Sequence, residues 1–195
     1  MRKVRLTITE SKCRCGYFHA GQQYIVEDLC PPLCHELWNS IYPAVFALLN
    51  GASLDRGEKR ATEFDAHCPD EGRVRIHGEV IEEHDMNLDP EPFAMIKSGQ
   101  KSIELRLYDE KRQKIKPGDM IVFTNTENGE ELTANVKELH RFDSFAELYK
   151  SLPLLCCGYT KDTLASADPS DMDRYYSRER QKEYGVVGIE IRLTH

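Results

Sequence analysis

Between Gly99 and Lys116 the chain places Lys101, Glu104 and Arg106 at spacings of three and two, after a glycine and before four more cations, Lys111, Arg112, Lys114 and Lys116. On an extended strand Glu104 and Arg106 share a face, roughly 7 Å apart. The carboxylate can then brace the guanidinium, and a braced guanidinium is a rigid fork for a phosphate or a base edge. Lys101 has the parity of Ile103, Leu105 and Leu107. If the strand begins at Lys101, its amine points into an apolar interior, where lost hydration favours the neutral form and a role as base or water-orienting group. If Lys101 belongs to the preceding turn, that inference lapses. Lys111 and Arg112 would line the rim. The alternative is a solvated loop with a structural ion pair at its base.

Two further groups carry chemistry. Tyr175, Tyr176, Arg178 and Arg180 precede the last strand, and Tyr176 with Arg178 could add a stacking ring and a phosphate contact. Their other reading is half-buried packing for the tyrosines and surface charge for the arginines. Cys13, Cys30, Cys34 and Cys68 are candidate zinc ligands, since Cys13-x-Cys15 and Cys30-x3-Cys34 are compatible with a tetrahedral site. They lack the paired two-residue spacing of a zinc ribbon, and buried thiols are common. Free thiols and no cofactor are therefore expected. Adjacent Cys156 and Cys157 read as a loop or core feature.

Composition bounds the rest. The 195 residues carry a net charge of -7 and a pI near 5.5, so no whole-molecule positive field draws in nucleic acid. Residues 97 to 116 nevertheless hold seven basic against three acidic side chains, a local +4 that leaves -11 to the remainder. Segregation of this kind suits a local phosphate site. No apolar run approaches the roughly 18 residues of a membrane span, and the N-terminus alternates like a strand instead of resembling a signal peptide. A cytoplasmic protein is expected, with its seven cysteines as thiols or ligands instead of a disulfide framework. Oligomeric state is not legible.

The elements that must position these residues follow from periodicity. Val4, Leu6 and Ile8 alternate with polar residues as a half-buried strand, and a second strand spans about 22 to 26. Pro31-Pro32 suits a helix start, and Leu33, Leu37, Ile41, Val45 and Leu48 follow at helical spacing to Gly51. Pro43 should kink or split this helix, and Trp38, Tyr42, Phe46 and Leu49 should widen its apolar face. A strand at 73 to 81 closes a first domain, residues 1–82. In the second, Asp89, Pro90 and Gly99 frame a helix with Phe93 and Ile96 inward. Strands at 101 to 108, 120 to 124 and 132 to 139 follow, the last two joined by an Asn128-Gly129 hairpin. Ser144 and Glu147 form a capping box, Asp168-Pro169 opens a helix to about 183, and Val187, Ile189, Ile191 and Leu193 alternate as a final strand. The class is α+β, a small α+β unit followed by a mixed β-barrel.

Gly99-Gln100-Lys101-Ser102-Ile103-Glu104-Leu105-Arg106 matches the GxKxxExR motif, and the match continues through Pro117-Gly118-Asp119 and Tyr184-Gly185-Val186-Val187-Gly188-Ile189. Over residues 86–195 the chain thus resembles the ASCH (activating signal cointegrator homology) domain. The resemblance implies a PUA-like β-barrel with a cleft beside the motif, binding RNA, a nucleotide or a nucleoside. It carries Gly99, Lys101, Glu104 and Arg106 over as cleft residues. Some small ASCH proteins are amidohydrolases that deacetylate acetylated cytidine with a lysine, a threonine three residues later and a distant glutamate. Lys101 matches the lysine and would be the catalytic amine, but Glu104 stands at the threonine position, and Glu147 and Glu179 are only candidates for the glutamate. RNA or nucleotide binding is therefore the expectation, with a hydrolase of a modified nucleoside as the alternative. Residues 1–82 resemble a family of small bacterial domains of uncharacterised function through Gly21, Cys34, Ile41-Tyr42-Pro43, Gly51 and Cys68-Pro69. A metal- or redox-sensing role for that unit is a third reading.

Overall fold

The computed structural model describes residues 2–57 and 59–194, so Met1, Glu58 and His195 lie outside the described residues. The chain divides into two compact units, residues 1–83 and 84–195.

In the first unit, strands β1 (Lys3–Ser11), β2 (Gln23–Val26), β5 (Glu63–His67) and β6 (Val74–Ile81) form an antiparallel sheet in the order β2-β1-β6-β5. The short strands β3 (Leu54–Arg56) and β4 (Lys59–Ala61) pair separately. Val4, Leu6 and Ile8 of β1 are fully buried against Leu37, Ile41, Val45 and Leu48 of helix α1 (His35–Leu49). Period two on the strand and a 3.6-residue stripe on the helix build one core.

Helix α1 differs from expectation at three points. It starts at His35, behind Cys34 as N-cap, and not at the prolines. It is not split at Pro43, which lies on the exposed side. There the carbonyl left without an amide partner meets water, and the buried stripe holds the helix together. Of the row expected to widen its apolar face, Trp38 and Leu49 pack against the core, whereas Tyr42 and Phe46 are 46% and 53% exposed; the Trp38, Tyr42 and Phe46 rings meet at tilted angles with centroids 5.5 and 5.8 Å apart.

In the second unit, β7 (Glu83–Leu88), β8 (Ile103–Leu107), β9 (Met120–Asn125), β10 (Glu131–Phe142) and β11 (Val186–Leu193) form one sheet in the order β7-β9-β10-β11-β8, curled into a half-barrel. The expected α+β class holds. Its edge strands are β7 and β8. Both faces of β11 are covered. Val187, Ile189 and Ile191 join Phe93 and Ile96 of helix α2 (Pro90–Lys97), while Val186 joins Ile103, Leu105 and Leu107 under helix α3 (Phe145–Ser151). Gly188 is the concession to this packing. A Cβ there would lie 2.6 Å from Leu152 Cδ1 and 3.2 Å from Ile103 Cγ2.

The Ser144 cap forms, its hydroxyl accepting from the Glu147 amide at 3.3 Å, but the expected box is not closed, because the Glu147 carboxylate accepts from the Asp143 amide at 3.2 Å instead of from that of Ser144. The single helix expected from Asp168 to about 183 is instead a 3-10 segment, Pro169–Arg174, and then helix α4 (Arg178–Tyr184) with its own Ser177 cap. A second side-chain cap inside the stretch ends one element and starts the next. Strand β8 begins at Ile103, so Lys101 belongs to the turn, and the inference drawn from its strand parity lapses.

Candidate functional site: a cleft beside Lys101, Glu104 and Arg106

Helix α2 ends at Lys97 and the chain reverses through Gly99, whose φ of +79° is open to glycine at little cost. The Lys101 amide donates to the Met95 carbonyl (3.0 Å), and the Ser102 amide to that of Cys156 (2.9 Å). These bonds fix the turn before β8 starts, so Lys101 is held by backbone on both sides.

Its amine lies 2.8 Å from Glu104 Oε2, with Lys101 8% and Glu104 3% exposed. Arg106 donates from Nε to Glu104 Oε1 and from a terminal nitrogen to the Asn87 carbonyl, both at 2.8 Å. Arg106 thereby ties β8 to β7, the two edges of the curled sheet. Burial pushes the Glu104 carboxyl up, but the charges of Lys101 and Arg106 outweigh it and hold the group below the usual carboxylate range. Burial lowers the Arg106 guanidinium, and the Glu104 charge and Tyr176 more than restore it. The expected Glu104–Arg106 brace is present, and Lys101 joins the same carboxylate.

These residues border a cleft of about 580 Å³, within the usual size range for small-ligand sites. One side is the β7–α2 junction, with Asn87, Asp89 and Glu91. Another is the irregular stretch from Cys157 to Tyr176. Tyr176 lies flat on Phe145 (centroids 6.1 Å apart, planes 14° apart) in the same lining as Arg106. In the same lining Tyr159 donates to Asp171 Oδ2 at 2.7 Å, and the Tyr149 and Tyr159 hydroxyls stand 2.7 Å apart. Burial pushes the Cys157 thiol up to about 12, so the sulfur is a neutral wall atom. The charged lining is Lys101, Arg106 and Arg174 against Asp89, Glu91, Glu104 and Asp171. The cleft is not a basic trough.

Other predicted positions fall elsewhere. Gly99 shapes the turn without lining the cleft. Lys111 is exposed, and Arg112 is clamped by Asp109 at 3.0 Å; neither is among the lining residues. Arg178 pairs with Asp173 at 2.9 Å and also lies outside it. Sequence reasoning missed Asn87, Tyr149, Tyr159, Asp171 and Arg174. The capping pattern around Asp168 and Asp171 was the one available signal for this wall. All seven cysteines are free, and among the described residues Cys13, Cys30, Cys34 and Cys68 form no group of three or more ligand atoms. The one such group there is Glu138, His140 and Glu190, across β10 and β11. No described helix is long and apolar enough to cross a membrane.

No curated protein matches the chain. Among solved structures it is similar to the crystal structure of the hypothetical protein PH0355, at 37% identity over 57% of this chain and 99% of that one, with a TM-score of 0.47. It is likewise similar to the solution NMR structure of protein PF0455 from Pyrococcus furiosus, at 38% identity over 58% of this chain and 98% of that one, with a TM-score of 0.47. The family model of the ASCH domain matches residues 86–195, and the chain belongs to the ASCH domain family.

Proposed function

We propose that the second unit binds RNA or a nucleotide by taking one base or nucleoside into the cleft, with Arg106 as the reading group. The observation that carries this is the immobilised Arg106 fork, fixed by Glu104 and the Asn87 carbonyl at the edge of a volume suited to a single small ligand. A fork held in this way loses little freedom when it engages a base edge or a sugar-phosphate oxygen.

Charge argues for short-range recognition over capture of a long polyanion. Residues 84–195 hold sixteen Lys and Arg against twenty Asp and Glu, and the basic run at Lys111 to Lys116 lies outside the cleft lining. Each neutralised phosphate of a single strand contributes a slope of about -0.7 to the logarithm of affinity against that of salt. With few unpaired cations in the lining, a slope shallower than about -2 is expected. Glu104 at the threonine position, and a Lys101 amine already engaged with it, favour binding over the hydrolase reading.

Fluorescence titration of short single-stranded RNA against wild type and Arg106→Ala, at two salt concentrations, tests the proposal. A loss of about tenfold or more in Arg106→Ala is expected, on the scale of one good base contact. Equal affinity of the two proteins would refute it.

A further inference from the structure

The protons in the tyrosine wall of the cleft can be counted. A phenol carries one proton and a carboxylate none. Tyr159 gives its proton to Asp171 Oδ2, so the 2.7 Å contact between Tyr149 and Tyr159 must use the proton of Tyr149. Asp171 is itself fixed, because the Asp168 amide donates to the same Oδ2 at 3.2 Å within a reciprocal cap. Burial, with Asp171 close by, pushes the Tyr159 phenol well above its ordinary value, and burial raises Tyr149 as well, so both protons stay in place. The relay runs one way, Tyr149 to Tyr159 to Asp171. What remains for a ligand is lone pairs on the Tyr149 oxygen and the Asp171 carboxylate. This part of the lining accepts and does not donate. Lys101 and Arg106, in the same cleft, only donate.

We propose that the relay makes the cleft select a base whose edge donates there, an amino-bearing base of the cytosine or adenine type, over its keto counterpart. This rests on the reading of the cleft as a nucleobase site. An exocyclic amine can give a hydrogen bond to Tyr149 or Asp171 while the ring nitrogen or carbonyl beside it accepts from Arg106 or Lys101. A keto oxygen in the amine's place sets lone pair against lone pair and leaves acceptors that the bound base cuts off from water unsatisfied, which costs more than a missing contact.

Calorimetric titration of the full chain with cytidine, uridine, adenosine and inosine tests the inference. Cytidine should exceed uridine, and adenosine inosine, by about tenfold or more. Tyr159→Phe keeps the Tyr149 ring and hydroxyl but frees its proton to turn toward the ligand, so the amino-to-keto ratio should fall below about threefold. A purely structural role for Tyr159 would weaken all four ligands and leave the ratio intact. If Tyr159→Phe fails to fold by circular dichroism, Tyr149→Phe, which deletes the acceptor, carries the same expectation. Equal binding within each pair by wild type, or an unchanged ratio in the variant, overturns the inference. Failure of all four to bind overturns the nucleobase reading first and this inference with it.

Discussion

Glu104 counters two cations at 2.8 Å each while almost wholly buried, so removing its charge strands Lys101 and Arg106 in a low-dielectric site. Breaking a buried pair in this way costs about 3–5 kcal/mol. Glu104→Gln should therefore destabilise the second unit by that order, read as faster hydrogen exchange across β8. Fluorescence would miss it, since the single tryptophan, Trp38, lies in the first unit. The same residue sets an acid limit. Its carboxyl is held below the usual range when folded and titrates near about 4.3 when unfolded. The unfolded chain thus takes up the proton first as pH falls. The stabilisation is complete above the unfolded value and is lost as pH drops through the folded one. Stability of this unit measured from pH 7 to 3 should fall below about pH 5, and less steeply in Glu104→Gln. A wild-type profile matching that of Glu104→Gln would remove Glu104 as the cause. At this scale the Glu104–Arg106 brace was legible because strand spacing of two dictates it. The Tyr149–Tyr159–Asp171 relay was not, because its members sit ten and twelve residues apart on elements with no shared period.

The elements that bear the cleft differ in how they are held. Strands β8 and β11 are laddered and buried on both faces, whereas the wall from Leu154 to Tyr176 consists of 3-10 turns and irregular links with no strand ladder. Gly158 joins that wall to the cation site. Its φ is +109°, and a Cβ there would lie 3.3 Å from Lys101 Cδ. Gly158→Ala therefore meets backbone strain, about 1–3 kcal/mol for a residue forced into such a region, and it presses on the Lys101 stem. Lower stability of the second unit together with weaker RNA binding is expected, measured by exchange and by titration. Gly99→Ala is the control, since its Cβ would meet nothing within 4 Å and it carries only the turn strain. If both variants bind equally well, pressure on Lys101 is irrelevant. The sequence displayed α2, the β9–β10 hairpin and the Ser144 cap through local chemistry. It hid the break between Arg174 and Arg178, where the Ser177 cap interrupts a stretch that reads as one helix.

At the scale of the whole molecule, the hydrophobic clusters respect the division of the chain. The cluster of the first unit draws its fully buried members from Val4 to Ile76, and the two of the second unit draw theirs from Met86 onward. The cleft lining runs from Asn87 to Tyr176 and lies wholly within the second unit. A unit that owns both its core and its site has what independent folding requires. Strand β7 begins at Glu83, so a fragment must start just ahead of it to keep that edge of the sheet. We expect residues 82–195 alone to melt cooperatively and to bind the same RNA within about threefold of the full chain, a difference below about 1 kcal/mol. In the full chain, Trp38 fluorescence should follow the first unit, and exchange at β8 the second, with no requirement that the two transitions coincide. Circular dichroism and titration of the fragment check this directly. A fragment that folds but binds more than tenfold worse would assign part of the recognition to the first unit. A fragment that does not fold would show that the two clusters, although separate in membership, are not separate in stability.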